Sequence, residues 1–340
     1  MGILQIISHR PQAGKTSLAS VLLLALAQAD KPAGYYKPFS TQPATDPDIA
    51  FIQAEILNPQ GGPPAPPSSI LEPSSTMSES QAHQLNEAVT TLQASQPRIL
   101  VEGPDLESVG QASTLAVEVA SLLDSRVVLI YCFSKDLDPA GISQDSAAFG
   151  DRLAGVVVNC VTKHRMPEVR QAMSAELASR GIPFLGVVPE LRIMHAPTVA
   201  QVAENLGGHW IQEPTQTGQP LERFLIGGNI MDSGPEYYGR YENQAVITRS
   251  QRPDIQLASL VAGTKCLVLT EGGEPTEYIK AEARERGVPV MVVQAKTLEA
   301  VEALAPLFNS SRTHNLASIQ GFALQLKQYL DLEHLASLAL

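Results

Sequence analysis

The run ILQIISHRPQAGKTSLASVLLLALAQA (3–29) passes from an apolar strand, through a polar loop, into a helix-forming segment. Its middle, SHRPQAGKTS (8–17), has the order that a phosphate-binding loop requires: strand, glycine-bearing turn, helix start. Gly14 lets the backbone approach a phosphate chain, and amides at the helix start point toward it along the helix dipole. Lys15 supplies a compact cation for the outer phosphates, and Thr16 a hydroxyl for Mg²⁺. Ala13 and Ser17 flank these residues and share the candidate ATP-binding loop. Where a standard loop has a glycine five residues before Gly14, this chain has His9, and Ser8 stands one place earlier. Arg10 lies five residues before Lys15, the offset of the second lysine in one P-loop class. It reads either as a phosphate contact across a dimer or as a solvated loop arginine.

Working outward, apolar runs of strand length recur at 33–37, 98–102, 126–131, 154–159 and 184–188. They are continuously apolar and rich in Val and Ile, as parallel strands covered on both faces are. Helical segments are expected at 15–29, 81–95, 112–124, 167–180 and 198–206. The alternation predicts an α/β fold with a doubly wound parallel sheet. Polar residues 212–220 read as a linker, which divides the chain into domains at 1–211 and 221–340. The second domain is a smaller α/β unit, with strands at 245–248, 266–270 and 288–293 and helices near 253–262, 275–286, 297–307 and 317–331. The Pro-, Gly- and Ser-rich stretch 58–79 reads as a long surface loop or a substrate lid.

Other polar groups fall on the same sheet edge. Glu102 ends the strand RILVE, where a Mg²⁺-holding carboxylate sits in P-loop proteins. Lys37 ends the second strand. Asp46 and Asp48 each read as a helix cap or a metal-facing group, with capping favoured for Asp46 and Asp48 left as a candidate Mg²⁺ ligand. Asn159 ends another strand, and its amide reads as an adenine contact or a strand-end turn.

The chain has 340 residues, 44% of them hydrophobic, and a formal charge of -11. That acidity, with no basic run, argues against nucleic acid as a partner. The most apolar helix candidate, Leu18–Ala29, is too short to span a bilayer and reads as a buried core helix. MGILQIIS enters a strand without the basic and long apolar regions of a signal peptide. Cys132, Cys160 and Cys266 lie far apart in sequence and read as buried free thiols. A cytoplasmic protein with neither a membrane span nor a structural metal is expected.

Residues 1–211 resemble the dethiobiotin-synthetase-like P-loop domain, through QAGKTS (12–17), YYKP (35–38), LVEGPD (100–105), GVVVNCV (155–161) and GVVPELRIMHAPTVAQVAENLGG (186–208). The resemblance implies that Lys15, Thr16, Lys37 and Glu102 serve ATP, Mg²⁺ and substrate, and that Asn159 contacts adenine. Lys15 and Lys37 are then the candidate catalytic cations. Residues 246–293 look like a DRTGG domain, with Gln251-Arg252-Pro253-Asp254-Ile255-Gln256 and Thr270-Glu271-Gly272-Gly273 standing for its motifs. The pairing is similar to the N-terminal half of long bacterial phosphotransacetylases. Their acyltransferase domain has no counterpart in this sequence, so phosphotransacetylase activity is not expected. After Glu102-Gly103 the chain reads Pro104-Asp105-Leu106, where dethiobiotin synthetase has an Ala-Gly-Gly-type turn.

Three readings follow. The first is an ATP·Mg²⁺-binding regulatory protein, or ATPase, coupled to its DRTGG-like half. The second is an ATP-dependent carboxylate-activating ligase or amidotransferase-like synthase, with Lys37 stabilising an acyl phosphate. The third is a degenerate P-loop scaffold without nucleotide turnover. Gly227-Gly228 and Gly272-Gly273 read equally as turns or as close approaches to a small-molecule effector. A homodimer through the second half has no direct sequence signal.

Overall fold

The computed structural model describes residues 2–42, 45–58, 71, 75–106, 108–228, 234–310 and 314–338. The chain forms two compact units, Met1–Leu191 with Phe322–Leu340, and Arg192–Gly321. Unit two therefore begins before the expected boundary at 211, and the expected linker 212–220 lies inside it. The C-terminal segment 322–340, assigned by its position in sequence to the second domain, belongs to the first unit.

The first unit is built on β1 (Gly2–Ser8), β2 (Gly34–Tyr36), β3 (Arg98–Glu102), β4 (Arg126–Cys132), β5 (Leu153–Val161) and β6 (Phe184–Pro189). They form one sheet in the order β2-β3-β1-β4-β5-β6, and every pairing is parallel. The unit's helices include α1 (Lys15–Gln28), α2 (Pro47–Phe51), α3 (Glu79–Ser95), α4 (Thr114–Leu122), α5 (Pro139–Phe149), α6 (Met166–Ser179) and, from the C-terminal segment, Leu332–Ser337. α1 packs on β1, β2 and β3 with Leu18, Val21, Leu22 and Leu26 buried, as its uniformly apolar sequence requires. Successive strand residues alternate between faces, so Ile3 and Ile7 join apolar clusters with α3, α4 and α5 while Leu4 and Ile6 face the other way. Local signals set the helix starts: Ser78 and Gln81 form a capping box on α3, and Asp138 caps α5 ahead of Pro139. The loop or lid reading of 58–79 falls mostly outside the described residues.

The second unit contains α7 (Val199–Leu206), β7 (His209–Gln212), β8 (Arg223–Gly227), α8 (Gly234–Tyr238), β9 (Gln244–Arg249), α9 (Pro253–Val261), β10 (Cys266–Thr270), α10 (Glu277–Arg286), β11 (Val290–Val292) and α11 (Thr297–Leu304). The sheet order is β7-β11-β10-β9-β8, with β7 antiparallel and the rest parallel. β10 buries Leu267 and Leu269 against α9 and α10, and Cys266 and Val268 in a cluster with Val199, Val202 and Leu304. Among the described residues, no helix is long and apolar enough to cross a membrane.

Candidate functional site at the parallel strand ends

β1 ends in Ser8, and residues 9–14 carry the chain from the strand to α1. Gly14 sits at φ 107°, in the left-handed region, and a Cβ there would lie 2.6 Å from Asn159 Nδ2. With no side chain, Gly14 cannot cap α1, and no acidic residue stands in the first turn. The first turn of that helix therefore has neither a side-chain cap nor an acidic side chain to offset its dipole.

Ser8 explains how the loop starts without the usual glycine. Its buried hydroxyl lies 2.6 Å from Asp105 Oδ1 and 2.8 Å from the Arg10 carbonyl, and accepts from Lys15 Nζ at 3.1 Å. Lys15 also forms an ion pair with Asp105. The backbone fixes Asp105 in place: Gly103 N–H donates to Ile6 O at 2.9 Å and Leu106 N–H to Ser8 O at 2.8 Å. Gly103 is required for that turn, because a Cβ there would meet the buried Gln5 amide at 2.5 Å. His9 stacks on Tyr131, with ring centroids 5.4 Å apart, and burial lowers its pKa.

Glu102, at the end of β3, is 4% exposed. Thr16 Oγ1 donates to its Oε1 at 3.1 Å and Tyr35 OH to its Oε2 at 2.8 Å. Burial raises the Glu102 pKa, against the pull of Lys37 and Lys15. Lys37 stands among carboxylates: Asp48 at 2.5 Å, Asp46 at 2.9 Å and Glu102 at 3.8 Å. Its burial opposes charge, but those neighbours prevail and raise its pKa. Asp46 caps α2, accepting from the Asp48 and Ile49 amides, and also accepts from Ser40 Oγ at 2.6 Å. Burial works against the Asp46 charge, yet its bonds from Ser40 and Lys37 hold its pKa below the ordinary value.

The structure thus gathers Lys15, Thr16, Glu102, Lys37 and Asp48 at one sheet edge, with Lys37 within ion-pair distance of both Asp48 and Glu102. Among the described residues, no group of three His, Cys, Asp or Glu side chains is placed to hold a metal by itself. A Mg²⁺ ion here would rest on Thr16, Glu102, water and the phosphates, which is the donor set this ion favours in nucleotide sites. Asn159 uses both ends of its amide on protein backbone: Nδ2 donates to Ala13 O at 2.8 Å and Oδ1 accepts from Cys160 N–H at 2.8 Å. It clasps the phosphate loop, so an adenine contact would require one of these bonds to be exchanged. Ala13 is buried beneath that clasp, and Ser17 is buried in the first turn of α1. Arg10 reaches Cys132 Sγ at 2.7 Å. Sequence reasoning gave no role to Tyr35, Asp105 or Ser8. All three lay inside quoted motifs, but nothing in their spacing signals a bond to Glu102 or Lys15.

In the second unit the glycine pairs flank strand ends. Thr248 Oγ1 donates to Gly227 O at 2.9 Å, and a Cβ on Gly273 would lie 2.5 Å from Ser250 Oγ. Gln256 Nε2 donates to the carbonyls of Arg249 and Ser250, at 3.0 and 2.9 Å, and Arg252 forks onto Asp254 at 2.9 and 2.7 Å. The Arg-Pro-Asp-Ile-Gln stretch therefore shapes the β9–α9 turn.

A family model described as AAA domain matches residues 3–198, and one described as DRTGG domain matches 201–307. A phosphate acetyltransferase from Acinetobacter baylyi is 28% identical over 149 residues, covering 41% of this chain and 20% of that protein, so the chain spans about a fifth of its relative's length. Two solved structures are similar. The MinD cell division protein of Aquifex aeolicus has a TM-score of 0.38 at 15% identity, covering 56% of this chain and 83% of that one. The CBS and DRTGG domains of the regulatory region of Clostridium perfringens pyrophosphatase, complexed with the activator diadenosine tetraphosphate, have a TM-score of 0.32 at 14% identity, covering 41% and 64%.

Proposed function

This chain belongs to the AAA domain family and carries a DRTGG domain behind it, and from that premise we propose that it binds ATP·Mg²⁺ at the β1–α1 loop in a regulatory role. The convergence of Lys15, Thr16 and Glu102 at the open start of α1 carries this reading. Lys15 would meet the outer phosphates, and Thr16 and Glu102 would hold the metal. Bound Mg²⁺ would neutralise phosphate charge, and it would also compensate the buried Glu102 carboxylate. The DRTGG half would answer to the nucleotide state or to a small-molecule effector of its own. The buried Ser250 hydroxyl beside Gly273, which has no hydrogen-bond partner among the described residues, supports a polar ligand there.

The ligase reading is weakened by Lys37, whose ammonium is already surrounded by Asp46, Asp48 and Glu102, so an incoming carboxylate meets negative charge. The degenerate-scaffold reading draws on the ion pair of Lys15 with Asp105, which ATP would have to break. Titration calorimetry with ATP·Mg²⁺ decides between binding and scaffold. Saturable heat in the wild type that Lys15→Ala abolishes is expected. No heat, or equal heat in the variant, ends the ATP reading.

A further inference from the structure

Cys132 and Cys160 lie far apart in sequence, yet they meet at the phosphate loop. β4 and β5 pair in parallel with Cys132 opposite Asn159. Regular alternation would turn the next residue, Cys160, to the other face. It does not, because Cys160 adopts φ 61°, a left-handed conformation uncommon for a residue with a side chain. The β5–β6 register also slips between Val158 and Val161, the mark of a bulge, and bulges re-aim side chains. The outcome sets the Cys160 thiol beside that of Cys132, near enough for each to shift the other's acidity. Arg10, from the phosphate loop, places Nη2 2.7 Å from Cys132 Sγ. Both thiols are free, whereas the third, Cys266, is fully buried elsewhere in the β10 core.

We propose that Cys132 and Cys160 form a peroxide-sensitive dithiol that closes to a disulfide beside the phosphate loop. The geometry divides the roles. Cys132 takes the Arg10 guanidinium and lies beside the Cys160 thiol, so it holds the shared thiolate and is the attacking sulfur. Cys160 is the resolving thiol. Cys132 attacks one oxygen of hydrogen peroxide and the O–O bond breaks; the sulfur becomes a sulfenic acid and the other oxygen leaves as water after taking up a proton. Cys160, losing its proton, attacks that sulfur; the S–O bond breaks, the S–S bond forms and a second water leaves. Two thiols lose two electrons and two protons to one peroxide, which becomes two waters. The disulfide withdraws the anionic sulfur that Arg10 contacts. It also locks the strand ends at Asn159, whose amide holds the Ala13 carbonyl of the loop.

The neighbouring Cys160 thiol, with further help from Arg10, lowers the Cys132 pKa to about 6 against its burial and the charge of Glu190. His9 also faces it, its Nδ1 3.4 Å from the Cys132 amide. At pH 7 a thiol with pKa ~6 is about thirtyfold richer in thiolate than one at ~8.5. Burial pushes Cys266 up to about 12, which makes it an internal reference.

The test treats the purified, reduced chain with hydrogen peroxide, counts thiols and maps peptides by mass spectrometry. The expected result is loss of two thiols, a Cys132–Cys160 cross-link lighter by two hydrogens, an intact Cys266 and full reversal by dithiothreitol. The rate should fall as pH drops through about 6, and Arg10→Ala should slow it several-fold. Cys160→Ser should stop at a sulfenic acid that dimedone traps. The proposal is overturned if Cys160 stays reduced while Cys132 passes to sulfinic acid, if Cys266 oxidises as fast, or if all three thiols survive. These readouts need no nucleotide, so they stand or fall apart from ATP binding.

Discussion

Asp105 occupies the ammonium that a triphosphate would need. Its pair with Lys15 is partly shielded, with side chains 11% and 27% exposed, so the attraction is moderate rather than negligible. An arriving phosphate tail must turn that carboxylate away and then sit near its charge. Asp105→Asn keeps the shape, leaves Ser8 a partner and removes the charge. It should tighten ATP·Mg²⁺ about fivefold, equivalent to roughly 1 kcal/mol, as read by calorimetry. Weaker binding instead would show that Asp105 helps to hold the metal. Lys15, Thr16 and Glu102 were legible as site candidates because P-loop chemistry demands those types at those places. Asp105 was not, because its meeting with Lys15 depends on two backbone bonds from the 103–106 turn to β1, and these exist only once β1 and β3 pair.

The strand-loop-helix element shows how a short sequence pattern is completed from far away. The sequence placed β3 and β10 to the residue, because each is a short continuous apolar run with sharp polar ends. It did not separate β7, β8 or α5, where apolar periodicity is interrupted and pairing partners or an Asp-Pro cap decide. The Gly14 turn lies between these cases. The glycine is visible in the sequence, but the reason for it includes Asn159, which packs against it from the end of β5. Gly14→Ala would force an L side chain to φ 107° and drive its Cβ into that amide. Strain of this kind costs about 1–3 kcal/mol. Denaturant unfolding should show that loss in the first unit. Gly263→Ala, at φ 78° but with open space around its Cβ position, is the control for backbone strain without a clash. Equal losses in the two would mean that the Asn159 clasp yields freely.

At the scale of the whole molecule, chain order and compact units part company at residue 322. The last helix, Leu332–Ser337, packs on α1, and Leu326, Leu330, Leu332 and Leu335 are all buried. Arg170 Nη2 donates to Tyr329 O at 3.4 Å, and Gly186 on β6 has no room for a Cβ, because Tyr329 O and Leu330 would each lie 2.7 Å from it. Sequence reading assigned this segment to the second domain because nothing in a linear pattern states which core an apolar helix joins. The last helix lies on α1, whose first turn belongs to the proposed nucleotide site, so the tail supports that site from behind. Removing residues 322–340 deletes those four buried leucines and exposes the surface of α1 and β6 that the segment covers. At roughly 2 kcal/mol for each, the loss is on the order of 5 kcal/mol or more, even after discounting for a compact unfolded chain. Scanning calorimetry should then show the P-loop unit unfolding earlier while the DRTGG unit, whose core draws on residues 199–307, keeps its transition. Hydrogen exchange of α1 amides identifies which unit has loosened. If α1 protection survived truncation and the second unit melted instead, the tail would belong to the other core, and the link drawn between it and the phosphate loop would be lost.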